Sequence, residues 1–302
     1  MLWTEKYRPQ SLIDLVGQSK FVSDARAWKN NMPNLLLYGP AGIGKTAAAN
    51  ALANFILEEN KENNFFEINA SDDRRLEVVR TKIKDIASSM KIGDIPHKII
   101  LLDEMDGMTT DAQNALKRLM ERYSDNVRFI ITSNHRHKIN YPIQSRCAIY
   151  GFERLSEDQI YYVFERILTS ENLTDKLDED ELRRFIRTLD GDVRKGITQL
   201  QASIHSDTPL NIQIEKMNKP YSELFDCVLD NNFDMALSKM HDMLYKSVDV
   251  KTICISLHDE VIKRELPPAQ KFKYLRVIGE TEWRSKNMTP KLLASWMIGQ
   301  MM

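Results

Sequence analysis

The chain reads as an α/β domain on a parallel sheet followed by two helical domains. Short apolar runs alternate with longer stretches of helical period up to about residue 152. One strand-to-helix junction carries the glycine-rich run GPAGIGKT at 39–46. Beyond residue 152 the strand signal fades and helical periodicity takes over. A length of 302 residues suits two or three domains, and the boundaries read as 1–152, 153–212 and 213–302.

The strand candidates, in order, are NLLLY (34–38), NFFEI (64–68), KIILL (98–102), VRFII (127–131) and AIYGF (148–152). Two helix starts show capping-box spacing: Thr110 with Gln113 in TTDAQNALKRLMERY, and Ser156 with Gln159 in SEDQIYYVFERIL. SEDQIYYVFERILTSE, DEDELRRFIRTL and DVRKGITQLQASIHS compose the second domain. YSELFDCVLD, FDMALSKMHDMLYKS, VKTICISLHDEVIKREL and PAQKFKYLRVIGETEW belong to the third. Among fourteen methionines, Met297, Met301 and Met302 near the end suit either an adaptable surface or the filling of helix interfaces.

At 42% hydrophobic the chain has enough apolar content for a core, yet no apolar run is long enough to span a membrane. The start, MLWTEKYRPQ, lacks the apolar core of a signal peptide, so the protein is expected inside the cell and not secreted. That means cytoplasmic for a prokaryotic or viral protein and nuclear for a eukaryotic one, although no lysine-rich import cluster is present. Cys147, Cys227 and Cys254 are widely spaced, without CxxC, which argues against a zinc site or disulfide framework and for buried apolar roles. A net charge of -1 argues against a general nucleic-acid coat protein, so DNA contact requires local basic patches.

GPAGIGKT fits G-x-x-x-x-G-K-[ST] between a strand and a helix, where backbone N–H groups wrap phosphate oxygens. Gly39, Pro40, Ala41, Gly42, Ile43, Gly44, Lys45, Thr46 and Ala47 form this nucleotide contact. Lys45 neutralises β and γ charge, and Thr46 ligates magnesium. KIILLDEMDG brings Asp103 to the metal and Glu104 to the attacking water, unless the two carboxylates only decorate a solvated turn. Asn134, ending FIITSN, orients that water, senses the γ-phosphate, or is a simple turn asparagine. Asp192 would cap DVRKGITQLQ, and Arg194 in its first turn either reaches a γ-phosphate or is an ordinary exposed arginine. Arg146, within PIQSRCAIYGF, can serve this nucleotide, another one, or a surface carboxylate.

LWTEKYRPQSLIDLVGQ, GPAGIGKT, NASDDR, LLDEMDGMT, DAQNALKRLMERYS, TSN, SRC and GDVRK occur in this order and spacing. In them the chain resembles the small subunits of replication clamp loaders, AAA+ ATPases typified by replication factor C. The specific motifs cover residues 1–205, and the remainder matches in helical character. The resemblance implies an AAA+ P-loop domain, a helical lid domain and a helical collar that joins subunits. It implies ATP and Mg2+ (through Thr46 and Asp103) as cofactors. As partners it implies a large subunit, other small subunits in a hetero-oligomer resembling a pentamer, a sliding clamp, and primer–template DNA.

In that family the SRC arginine acts in trans on the neighbouring subunit's ATP, which makes Arg146 a catalytic finger beside Lys45, Asp103, Glu104 and Asn134. Tyr7, Arg8, Pro9, Val16 and Gly17 resemble the segment around adenine. Arg75, Arg80 and Lys84 become the DNA candidates, against the plain alternative of a solvated basic face. Gln113, Lys117 and Arg118 resemble the residues coupling DNA contact to the catalytic glutamate. The clamp contact, which no motif marks, is expected at the sheet edge away from the nucleotide, around residues 85–95. Met105-Asp106 and NASDDRRLEVVR depart from the family pattern, and the second alters charge near the DNA helix. The alternatives are another DNA-acting AAA+ machine, such as a Holliday-junction translocase, or a non-hydrolysing structural subunit.

Overall fold

All five apolar runs form one parallel sheet in a computed structural model of the chain, which describes every residue except 71–75, 175–176, 190, 206–209, 247 and 286, and leaves undescribed the side chains of 76–80 and 210–218. The strands are β1 (Leu35–Tyr38), β2 (Phe65–Asn69), β3 (Lys98–Asp103), β4 (Val127–Ser133) and β5 (Ala148–Gly151). Their order is β2-β3-β4-β1-β5, with Tyr38 level with Ser133.

Alternate residues serve opposite faces of the sheet. Leu35, Leu37, Ile99, Leu101 and Ile130 join one core cluster, and Leu36, Ile100, Leu102, Phe129 and Ile131 join the other. Burial on both faces explains why these strands read as continuous apolar runs. The crossover helices follow from this arrangement.

In chain order the first helices are α1 (Trp3–Lys6), α2 (Ser19–Ala25), α3 (Lys45–Leu57), α4 (Lys61–Asn64), α5 (Leu76–Ser88), α6 (Thr110–Arg122) and α7 (Tyr141–Gln144). Alanines 48, 49, 51 and 53 let α3 approach the first face closely, while Ile83 of α5 and Leu116 and Met120 of α6 cover the second. The N-cap of α6 is Thr109 rather than Thr110, its side chain accepting from Ala112 N–H at 3.3 Å. Gln113 completes no capping box because its amide is buried and bonded elsewhere, to Lys138 O at 3.0 Å and Asn140 N–H at 2.8 Å.

α8 (Glu157–Ser170), α9 (Glu179–Arg187) and α10 (Val193–His205) belong to the same compact unit, residues 1–207. Ser156 and Gln159 make the expected capping box on α8. Asp192 caps α10 through Lys195 N–H at 2.9 Å.

The second unit, residues 208–302, contains α11 (Leu210–Leu229), α12 (Phe233–Tyr245), α13 (Val250–Lys263), α14 (Pro268–Arg284) and α15 (Pro290–Met301). Its core buries Met240, Met297 and Met301 completely, so these methionines fill helix interfaces. Cys254 is buried there, with its thiol pushed up to about 12 by desolvation, whereas Cys147 and Cys227 are only half-buried. Among the described residues no helix is long and apolar enough to cross a membrane.

Candidate nucleotide site

The glycine-rich loop leaves the C-terminal end of β1 and enters the first turn of α3. Gly39 N–H donates to Ser133 O at 3.2 Å, which fixes the loop start against the end of β4. Gly42 has φ +77°, and a β-carbon there would lie 2.1 Å from Asp192 Oδ1. Only glycine fits both that backbone conformation and so close an approach by the α10 cap.

Lys45, the first residue of α3, is buried. Its Nζ donates to Gly39 O at 2.7 Å, Pro40 O at 2.6 Å and Asn134 Oδ1 at 2.9 Å. Burial lowers its pKa from the ordinary lysine value, Asp103 and Asp106 oppose that shift, and Arg194 adds to it. Anionic phosphate would relieve this electrostatic stress.

Thr46 Oγ1 donates to both carboxylate oxygens of Asp103, at 3.0 and 3.1 Å. Thr132 of β4 donates to Asp103 Oδ1 and accepts the N–H of Glu104 at 3.0 Å. Glu104 has left-handed backbone, φ +54° and ψ +43°, and is exposed. A non-glycine residue in this region carries strain that surrounding structure must sustain, and Thr132 is one of the groups that does so. Asp106 Oδ1 accepts Asn134 N–H at 3.2 Å, joining the turn after β3 to the end of β4.

These groups border a cavity of about 750 Å³ whose wall includes Ala41 to Ala47, Asp103, Glu104, Thr132 and Asn134. Tyr7, Arg8, Pro9 and Val16 line it from the amino-terminal segment, and Arg166 and Arg194 from the helices. The volume suits a nucleotide-sized ligand. The amino-terminal segment is fastened to the helical part: Trp3 N–H donates to Gln201 Oε1 at 2.9 Å, and Tyr7 Oη to Glu171 Oε1 at 2.5 Å. Hydrogen bonds from Lys6 and Tyr7 lower the Glu171 pKa from its ordinary value.

Gly17, Gly39 and Pro40 lie outside this wall. Gly17 sits against Leu155, and Gly39 and Pro40 turn their carbonyls to Lys45. Arg146 is also outside it, towards the other end of the strands. Two residues after Arg146, Ala148 pairs with Leu35 at the start of β1, whereas the phosphate loop follows Tyr38 at its end. Arg146 Nε donates to Glu121 Oε1 at 3.0 Å, Nη2 donates to the same oxygen, and Nη1 donates to Pro142 O at 2.7 Å.

On α6, Gln113 is buried, Lys117 half-buried and Arg118 exposed. Lys84 is exposed on α5. Arg80 lies one turn earlier on that helix with its side chain outside the described residues, and Arg75 lies outside them altogether. Near the β2 edge of the sheet, Met90 and Ile92 are exposed within the segment expected to meet a clamp.

Sequence reasoning missed Thr132, Asp106, Arg166 and Glu171. Thr132 left one signal, a hydroxyl inside the apolar strand FIITS that must find partners once buried. Among the described residues no cluster of three or more His, Cys, Asp or Glu forms a self-contained metal site. The converging hydroxyl and carboxylate of Thr46 and Asp103 fit Mg2+, a hard ion that takes few protein ligands alongside substrate phosphates.

Residues 35–154 match the model of the ATPase family associated with various cellular activities (AAA), and residues 219–288 match the replication factor C C-terminal domain. The replication factor C small subunit of Methanococcus maripaludis (strain C7) is 37% identical over 291 residues, covering 93% of this chain and 92% of the relative. That of Thermofilum pendens is 39% identical over 297 residues, covering 94% and 90%. Among solved structures, a DNA replication initiation factor matches with TM-score 0.63 at 13% identity, covering 97% of both chains. The Thermotoga maritima RuvB Holliday junction branch migration motor matches with TM-score 0.56 at 14% identity, covering 83% of this chain and 85% of its own. At such identities these structures establish the shared ATPase fold, and the sequence relatives decide among its families. With its AAA module and replication factor C carboxy-terminal domain, the chain belongs to the replication factor C small subunit family.

Proposed function

We propose that this nucleotide-binding ATPase works as one subunit of a sliding-clamp loader, in which ATP binding opens a ring clamp on primer–template DNA and hydrolysis releases it. The observation that carries the reading is the convergence of Lys45, Thr46, Asp103, Glu104 and Asn134 on one cavity, with Arg146 held beyond its wall.

Each side chain has a role that its surroundings support. Lys45 exchanges its loop carbonyls for phosphate oxygens and keeps Asn134 beside the γ position. Thr46 and Asp103 would hold Mg2+, which when bound supplies charge neutralisation on the phosphates. Glu104 polarises the attacking water from a backbone that Thr132 restrains. Arg194, on the helical lid at 153–212, registers the γ-phosphate, while Tyr7, Arg8, Pro9, Val16 and Gly17 surround the base.

Arg146 would complete the site of the adjacent subunit, where such a finger contributes about 10³-fold or more in rate. Supplying it across an interface makes hydrolysis conditional on assembly through the 213–302 collar. Arg75, Arg80 and Lys84 would meet DNA phosphates, with Gln113, Lys117 and Arg118 relaying that contact along α6. The 85–95 segment would meet the clamp. The test is ATP turnover of the complex reconstituted with its partner subunits, with and without clamp and primed DNA. Stimulation by both is expected, and turnover indifferent to both would contradict the reading.

A further inference from the structure

Arg146 and the segment before it are tied to a single helix at two points. Near the start of α6, Gln113 accepts Asn140 N–H at 2.8 Å and donates to Lys138 O at 3.0 Å. Asn140 in turn caps α7, accepting Ile143 N–H at 3.1 Å. About two turns further along α6, Glu121 takes the Arg146 guanidinium. The backbone leading to Arg146 and the side chain itself are thus both referenced to α6, which begins shortly after Asp103 and Glu104.

The mode of grip is specific. A guanidinium carries five N–H donors in a planar fork. Glu121 Oε1 takes the Nε–Nη2 edge and Pro142 O takes one N–H of Nη1. The second N–H of Nη2, and the second N–H of Nη1 with its long 3.4 Å contact to Ser145 Oγ, remain on a side chain that is 30% exposed. That is a group held by one edge with donors left to offer.

We infer that Glu121 is the positioning residue of the arginine finger: it fixes the Nε–Nη2 edge of Arg146, so that the remaining donors meet the neighbouring subunit's phosphate without a conformational search. The inference rests on the reading of Arg146 as a finger acting in trans. Because Glu121 and Gln113 share α6, the finger offered to the neighbour is aligned by the helix that adjoins the chain's own catalytic carboxylates.

The test uses the reconstituted complex and measures ATP turnover (kcat), KM for ATP and nucleotide affinity for Glu121→Ala, Glu121→Gln and Arg146→Ala. Glu121→Ala is expected to lower kcat roughly tenfold through loss of alignment, with KM and affinity unchanged. Glu121→Gln, which retains an oxygen at the same reach, should recover part of that loss. Wild-type or faster turnover in both Glu121 variants, with Arg146→Ala inactive, overturns the inference and leaves the finger standing. A fall in kcat accompanied by weaker ATP binding, or equal in both Glu121 variants, overturns it in favour of a general structural role. Undiminished turnover in Arg146→Ala overturns the finger and this inference together.

Discussion

Glu104 N–H donates to Thr132 Oγ1 at 3.0 Å, and the same hydroxyl donates to Asp103. One buried threonine therefore restrains the left-handed backbone of the proposed base and orients the proposed metal ligand. Thr132→Val keeps the shape and removes both bonds. It is expected to lower stability by about 1–3 kcal/mol, the cost of unpairing buried polar groups, and to reduce turnover. Urea unfolding of the full chain and steady-state ATPase of the complex check the two effects.

Asn134 accepts from Lys45 Nζ at 2.9 Å. Asn134→Ala should leave ATP binding near wild type, since the loop and Lys45 persist. Turnover should fall by about 10²-fold, typical of losing one preorganised polar group beside developing charge. Single-turnover kinetics beside equilibrium nucleotide titration separates the two.

Gly42 and Gly44 both have positive φ, at +77° and +95°, but only Gly42 is crowded, by Asp192. Gly44→Ala should cost about 1–2 kcal/mol from the left-handed backbone alone. Gly42→Ala should cost more, because Asp192 must move and the α10 cap with it. Unfolding midpoints of the two variants, measured without nucleotide, give the comparison.

His97, just before β3, is buried, and its Nε2 has no hydrogen-bond partner among the described residues. Desolvation, aided by Arg128 and Lys91, lowers its pKa from 6.5 to about 4. The unfolded chain then binds the proton first as pH falls, so stability is full above the unfolded value and declines between 6.5 and about 4. From about pH 7 to pH 5 the loss from this group is about 2 kcal/mol. Urea unfolding of wild type and His97→Gln at both values should show that difference shrinking in the variant.

The strands were legible because burial on both faces leaves uninterrupted apolar runs, as in KIILL and VRFII. Lys45, Asp103 and Asn134 were legible because the strand ends bring them to the loop. α15 was not among the helices read: PKLLASWMIGQM is apolar on most sides, so its amphipathic period is weak. Gln113 suggested a cap from spacing alone, whereas its burial depends on a partner segment 25 to 27 residues later. The Trp3–Gln201 and Tyr7–Glu171 bonds join positions more than 160 apart, beyond any local pattern. Glu121 lies within the run DAQNALKRLMERYS, but nothing in that run assigns it a partner, which emerges only once the α7 segment brings Arg146 back beside α6.

The most direct measurement is ATP turnover by the reconstituted complex with clamp and primer–template DNA, comparing wild type with Arg146→Ala, alongside ATP binding by the isolated chain. The account predicts turnover that rises with clamp and DNA and falls by about 10³-fold in the variant, while the isolated variant binds ATP as the wild type does. Turnover that ignores clamp and DNA and survives the substitution would make Arg146 an ordinary surface partner of Glu121 and contradict the trans-acting site.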